Sequence, residues 1–222
     1  MANWQTVVLP ESVVRVRLPE PLPPEPAVFV LLHGWTGDEF SMEPFLQALP
    51  SDGVAFLFRA PFPAPRERGG YSWVNRRTFG GLPTAEMFSD ALEILRGWLD
   101  DSLPPRFPFL RNGRYRWMGF SQGAALALMQ GLSAPETVSS LAILSGFAPA
   151  GAERLAARKP LLGTRAFVAH GTQDAIVPFE HGKRAHDVLK AAGAQVKFCT
   201  AEVGHKVGAP CMRALRDFYS GG

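Results

Sequence analysis

The chain has 222 residues, of which 46% are hydrophobic and 19% charged, a balance that suits a soluble globular protein with a sizeable core. Its formal net charge is +3, but the arginines are scattered along the sequence and no five-residue block of like charge occurs, which argues against nucleic-acid binding. Two cysteines are too few for a disulfide framework, and the start "MANWQTVVLPESVV" lacks the basic-then-apolar pattern of a signal peptide. The longest strongly apolar run near the front, "AVFVLL", is far short of a membrane span. These features lead us to expect a cytoplasmic protein without stable membrane insertion. They leave room for a homodimer without specifying one.

In chain order, "WQTVVLP" and "SVVRVRLP" read as two short strands, the second alternating apolar and basic. "PEPLPPEP" (19–26) is a stiff, extended connector. Residues 27–32, "AVFVLL", read as a buried strand, followed by a helical stretch near 39–49. "GVAFLFRAP" is the next strand, and a long Gly- and Pro-containing loop runs from 61 to 83. Apolar residues at helical spacing (Met87, Ala91, Ile94, Leu95, Trp98, Leu99) predict a helix over 84–102. The alternation then resumes. "RYRWMGF", "VSSLAILSGF", "TRAFVAHG" and "AQVKFCTAEV" are strands; 121–132, a short segment around 151–158, 179–192 and 207–219 are helices. Strands interleaved with helices predict one α/β domain over residues 1–222, with a mostly parallel sheet covered on both faces.

In such sheets, ligands bind beyond the carboxyl ends of the strands. Four predicted strand ends carry unusual residues: "LLHGWTGDE", "MGFSQGA", "VAHGTQDAIVP" and "AEVGHKVG". Ser121 lies at a strand-to-helix junction, with Gly119 and Gly123 two positions to either side. A nucleophilic serine must stand clear of the backbone on a sharp turn, and flanking glycines remove the Cβ atoms that such a turn would crowd. The plain alternative is a Gly-Ser turn. Asp174 is placed to orient a histidine, although it could simply cap the helix beginning near Pro178. Asp38 precedes the serine and Asp187 falls within a predicted helix, so both are weaker candidates.

Of five histidines, His33 and His170 each precede a glycine at a strand end and are expected to brace loops. His181 and His186 fall in a predicted helix. His205 follows a strand, late in the chain. Ser121, Asp174 and His205 therefore form the candidate triad, in that chain order. An oxyanion needs two aimed N–H donors, which we assign to the backbone of Gln122 and of Trp35 in "HGWTG". No HExxH pattern or cysteine–histidine cluster points to a metal, and no cofactor is expected.

The segments "LLHGWTGDE", "GFSQGA", "AILSGFAP", "HGTQDAIVP" and "GHKV" resemble, in order, those of an α/β-hydrolase. More narrowly, the chain resembles the carboxylesterase and lysophospholipase family that includes the acyl-protein thioesterases. The resemblance implies the same triad and oxyanion donors. It also implies that Trp73, in "RERGGYSWVN", lines the acyl site, with Phe147 and Val177 as further substrate-binding candidates. Trp35 stands where family members often carry leucine, and 61–83 follows the family pattern only loosely. The expected activity is hydrolysis of a small-molecule ester of short to medium acyl chain through an acyl-serine. The alternatives are a thioesterase or lysophospholipase acting on long acyl chains and, further off, a non-catalytic binding protein.

Overall fold

A computed structural model describes residues 3–75 and 81–221. Arg76 and Arg77, part of the scattered basic charge, and the rest of 76–80 in the long loop lie outside the described residues. The strands are β1 (Asn3–Leu9), β2 (Ser12–Leu18), β3 (Val28–Leu32), β4 (Val54–Phe58), the short β5 (Phe62–Pro63) and β6 (Tyr71–Ser72), β7 (Tyr115–Phe120), β8 (Val138–Leu144), β9 (Arg165–Gly171) and β10 (Gln195–Ala201). The α-helices are α1 (Ser89–Gly97), α2 (Gln122–Ser133), α3 (Ala152–Ala156), α4 (Phe179–Ala191) and α5 (Ala209–Ser220).

Eight strands form one sheet in the order β1-β2-β4-β3-β7-β8-β9-β10. The β1–β2 and β2–β4 pairs are antiparallel, and the other pairs are parallel. β5 and β6 pair separately within the long loop. The two-residue period of a strand divides the core. From β3, Val28, Val30 and Leu32 join the apolar cluster that includes residues of α1, α2, α3 and α4. Phe29 and Leu31 point to the opposite cluster, which includes Cys211 and Leu215 of α5. Strands buried on both faces are continuous apolar runs, as "VFVLL" and "VAFLF" are.

Two predicted helices differ in detail. The stretch expected near 39–49 forms only a 3-10 helix, Glu43–Ala48, with Pro44 in its first turn. The stretch over 84–102 is a 3-10 turn (Ala85–Phe88), then α1, then a wider π-type turn at Trp98–Ser102 that keeps Trp98 and Leu99 buried.

The two cysteines are too few to expect a disulfide framework. Cys199 of β10 and Cys211 of α5 nonetheless form a disulfide. Among the described residues, no helix is long and apolar enough to cross a membrane.

Candidate active site

Ser121 sits between β7 and α2 with φ 53° and ψ −114°, a backbone conformation rare for a residue with a side chain. Its own N–H donates to Leu144 O at 2.9 Å, and its carbonyl accepts from the N–H groups of Ala124 and Ala125 at 3.1 and 3.2 Å. The strained turn is thus held from β8 and from α2. The flanking glycines are sterically required. A Cβ on Gly119 would stand 2.1 Å from Gly123 O, and one on Gly123 would stand 2.2 Å from Leu32 O.

Asp174 follows β9, and its side chain is fully buried. One carboxylate oxygen accepts from the N–H groups of Ile176 and Val177, both at 2.9 Å. The other accepts from His205 Nδ1 at 2.7 Å. That geometry places the Nδ1 proton against the carboxylate and leaves Nε2 as the basic nitrogen. His205 lies in the loop between β10 and α5, and its ring packs 4.9 Å from the ring of Phe120, the residue before Ser121. The side-chain hydrogen bond of the trio therefore joins aspartate to histidine, while contact with the serine turn runs through Phe120.

The loop after β3 comes in from the other side. A Cβ on Gly34 would lie 3.2 Å from Ser121 Cβ, so Gly34 lets this loop approach the serine closely. Thr36 N–H donates to Tyr71 O at 2.9 Å, and Tyr71 N–H to Gly37 O at 3.0 Å, anchoring the stretch that follows Trp35. Gln122 is the first residue of α2, where backbone N–H groups have no intrahelical acceptor. Its side chain is committed elsewhere: Oε1 accepts from Trp73 N at 2.9 Å, and Nε2 donates to Ser72 Oγ at 3.2 Å.

Trp73 is not a wall of the cavity. It is fully buried, and its Nε1–H donates to His33 O at 2.8 Å. Its indole thus holds the β3 loop, while its backbone N–H holds the Gln122 side chain at the start of α2. Phe147 and Val177 do line the cavity, together with Trp35, Ser121 and Gln122. Sequence reasoning missed Leu82 and Ile176, which complete the apolar wall. The available signal was an apolar residue at 176 in a polar loop after a strand; Ile176 is 69% exposed. The cavity measures about 360 Å³. A cleft of about 400 Å³ elsewhere, beside Glu93, Arg96 and Asp100, contains none of these groups.

His33 and His170 brace loops as expected. His33 Nε2 accepts from Ala60 N at 2.9 Å and Nδ1 donates to Gly34 O at 2.6 Å; burial pushes its pKa down to about 4. His170 Nε2 donates to Val177 O at 2.8 Å, and burial lowers its pKa. Asp38 accepts from Phe40 N, Ser41 N and Ser41 Oγ within its own turn, and Asp187 pairs with His186 on α4. Among the described residues, no group of three or more His, Cys, Asp or Glu side chains could hold a metal.

A mostly parallel sheet with a positive-φ serine after a central strand, and an aspartate–histidine pair after later strands, defines the α/β-hydrolase fold. A family model described as phospholipase/carboxylesterase matches residues 17–220, and the chain belongs to that family. Acyl-protein thioesterase 1 of Mycosarcoma maydis is 42% identical over 73 residues, a match spanning 32% of this chain and 30% of that relative's length. Acyl-protein thioesterase 1 of Kluyveromyces lactis is 31% identical over 189 residues, covering 77% of this chain and 79% of the relative. The crystal structure of the Bacillus cereus carboxylesterase superposes with a TM-score of 0.80 at 20% identity, covering 95% of this chain and 94% of that one.

Proposed function

We propose that the chain is a serine carboxylesterase built as one α/β-hydrolase domain, with Ser121 as nucleophile, His205 as general base and Asp174 as its orienter. The observation that carries the reading is the Asp174–His205 hydrogen bond at 2.7 Å beside a serine held at positive φ. His205 Nε2 takes the Ser121 proton as Oγ attacks the ester carbonyl. The backbone N–H groups of Trp35 and Gln122 face the developing oxyanion, favoured further by the N-terminus of α2. His205 then returns the proton to the departing alcohol, and water, activated by the same ring, hydrolyses the acyl-serine.

Phe147 and Val177 contact the acyl group, with Trp73 acting behind them on the oxyanion loop. A cavity of about 360 Å³ lies near the small end of small-molecule sites, which supports short to medium acyl chains. A second reading, a thioesterase or lysophospholipase taking long acyl chains, is favoured by Ile176, whose exposed side chain continues the apolar wall outward. The names of the yeast and fungal relatives support it too. A series of esters and thioesters of graded chain length separates the two. The cytoplasmic expectation leaned on the cysteine count, and the Cys199–Cys211 bond removes that support, because disulfides persist mainly in oxidising compartments.

The decisive experiment is Ser121→Ala assayed on a p-nitrophenyl ester. A loss of about 10³-fold or more in kcat, with an unchanged circular dichroism spectrum, is expected. Undiminished turnover, or a fluorophosphonate that fails to label Ser121 in the wild type, would refute the assignment.

A further inference from the structure

The disulfide brackets the loop that carries His205. Cys199 lies in β10, an edge strand paired on one side only, with β9. Cys211 lies in the first turn of α5 and is buried. They stand twelve positions apart, with His205 midway. Among the described residues, few backbone hydrogen bonds restrain the loop. Thr172 N–H and Gln173 N–H donate to Ala201 O and Val203 O, at 2.8 and 3.1 Å, and so fix its first half to the end of β9. Beyond Gly204, a single local backbone bond, Lys206 N–H to Gly204 O at 2.7 Å, precedes the turn into α5, where Met212 N–H donates to Gly208 O at 3.0 Å. Apart from the contacts of the His205 side chain with Asp174 and Phe120 and the packing of Val207 against the apolar cluster, the second half of the loop is located by where α5 begins. The disulfide ties that point to the sheet edge.

We propose that the Cys199–Cys211 bond is a positioning element for His205, holding the start of α5 against β10 so that the imidazole stays aligned between Asp174 and Ser121. The inference rests on reading His205 as the general base. The walls of the cavity, Trp35, Leu82, Phe147 and Val177, are carried by other loops. Loosening the His205 loop should therefore slow the chemistry without weakening substrate binding. It also makes turnover sensitive to thiols. A dithiol that delivers two electrons converts the bond to two cysteine thiols and is itself oxidised to a cyclic disulfide.

The test compares oxidised wild type with the Cys199→Ala/Cys211→Ala variant and with wild type reduced by dithiothreitol, whose thiols are counted by alkylation and mass measurement. If the oxidised protein neither turns over a p-nitrophenyl ester nor labels with a fluorophosphonate, the proposed function itself fails. Given turnover, the expected result in both unbridged forms is a fall in kcat of about ten- to a hundredfold, the scale of a misplacement near 1 Å. KM should stay within about twofold, the signature of an interaction used in the transition state rather than in binding. The downfield Nδ1 proton resonance of His205, sharp in the oxidised protein, should broaden or vanish. Unchanged kcat in a folded, unbridged protein overturns the proposal. So does unfolding of both unbridged forms, because the bond would then hold the fold as a whole rather than the histidine.

Discussion

A single methyl group at Gly119 tests the serine turn most directly. A Cβ there would stand 2.1 Å from Gly123 O, 2.3 Å from Gly123 C and 2.4 Å from Ala124 N. All three are backbone atoms of the first turn of α2, so no side chain can rotate away. Restoring ordinary contact requires a relative shift of more than ~1 Å between β7 and α2. Ser121 lies between those elements, and Gln122 opens the helix that must move. A shift of that size in the proposed nucleophile and in one proposed oxyanion donor corresponds to a loss of about 10²-fold in kcat/KM. The overpacking itself costs about 1–3 kcal/mol of stability. Gly119→Ala should therefore unfold at lower urea while remaining folded in buffer, with kcat/KM on a short p-nitrophenyl ester down by roughly two orders of magnitude. A variant matching the wild type within twofold in both measurements would mean that Ser121 does not depend on this close approach.

Trp73→Phe removes the indole donor from His33 O and leaves a small void; urea unfolding should show a loss of about 2–4 kcal/mol, and kcat should fall more than KM rises. An unchanged kcat would dissociate Trp73 from the oxyanion loop. Burial holds His33 near pKa 4, against an ordinary 6.5, so as pH falls from 6.5 to 4 only the unfolded chain takes up this proton. That contribution should lower stability by about 3 kcal/mol at the acid end and then level off. Urea midpoints across the range check it, and a His33 ring titrating near 6.5 in the folded protein would contradict it. Removing the disulfide frees a short loop in the unfolded chain, for which loop-closure entropy gives about 3 kcal/mol. Calorimetry of Cys199→Ala/Cys211→Ala should show a drop in Tm of several degrees, and an unchanged Tm would deny the bond any role in stability.

What the sequence made legible follows from which forces act locally. The core strands declare themselves because a parallel strand buried on both faces must be apolar throughout, as residues 28–32 and 54–58 are. Gly119 and Gly123 declare the serine turn because their need is steric and lies within five residues. The role of Trp73 was not legible, because its partners His33 and Gln122 lie 40 and 49 positions away. A tryptophan near an expected acyl site looks the same in sequence whether it faces the cavity or holds the loop behind it. The pairing of Cys199 with Cys211 escaped for a similar reason. A count of two says nothing about distance, and only the packing of α5 against the far edge of the sheet brings their Cα atoms to 5.6 Å.

The same distinction separates the groups proposed for the chemistry from those proposed to meet the acyl chain. Asp174 spends one carboxylate oxygen on two backbone N–H groups and the other on His205, so neither oxygen can be lost without freeing the Asp174–Val177 turn or the base. The Gln122 side chain, Trp73 and His33 are locked to one another, so the oxyanion loop and the serine turn must change together. Leu82, Phe147 and Ile176 present only apolar surface to the cavity. On the proposed reading, exchanging one of them changes the fit of the acyl chain, at about 1–3 kcal/mol of discrimination per methylene, and leaves the polar contacts of Asp174 and His205 in place. Acyl-chain preference is, on that reading, set on a wall that is chemically separate from Ser121, Asp174 and His205.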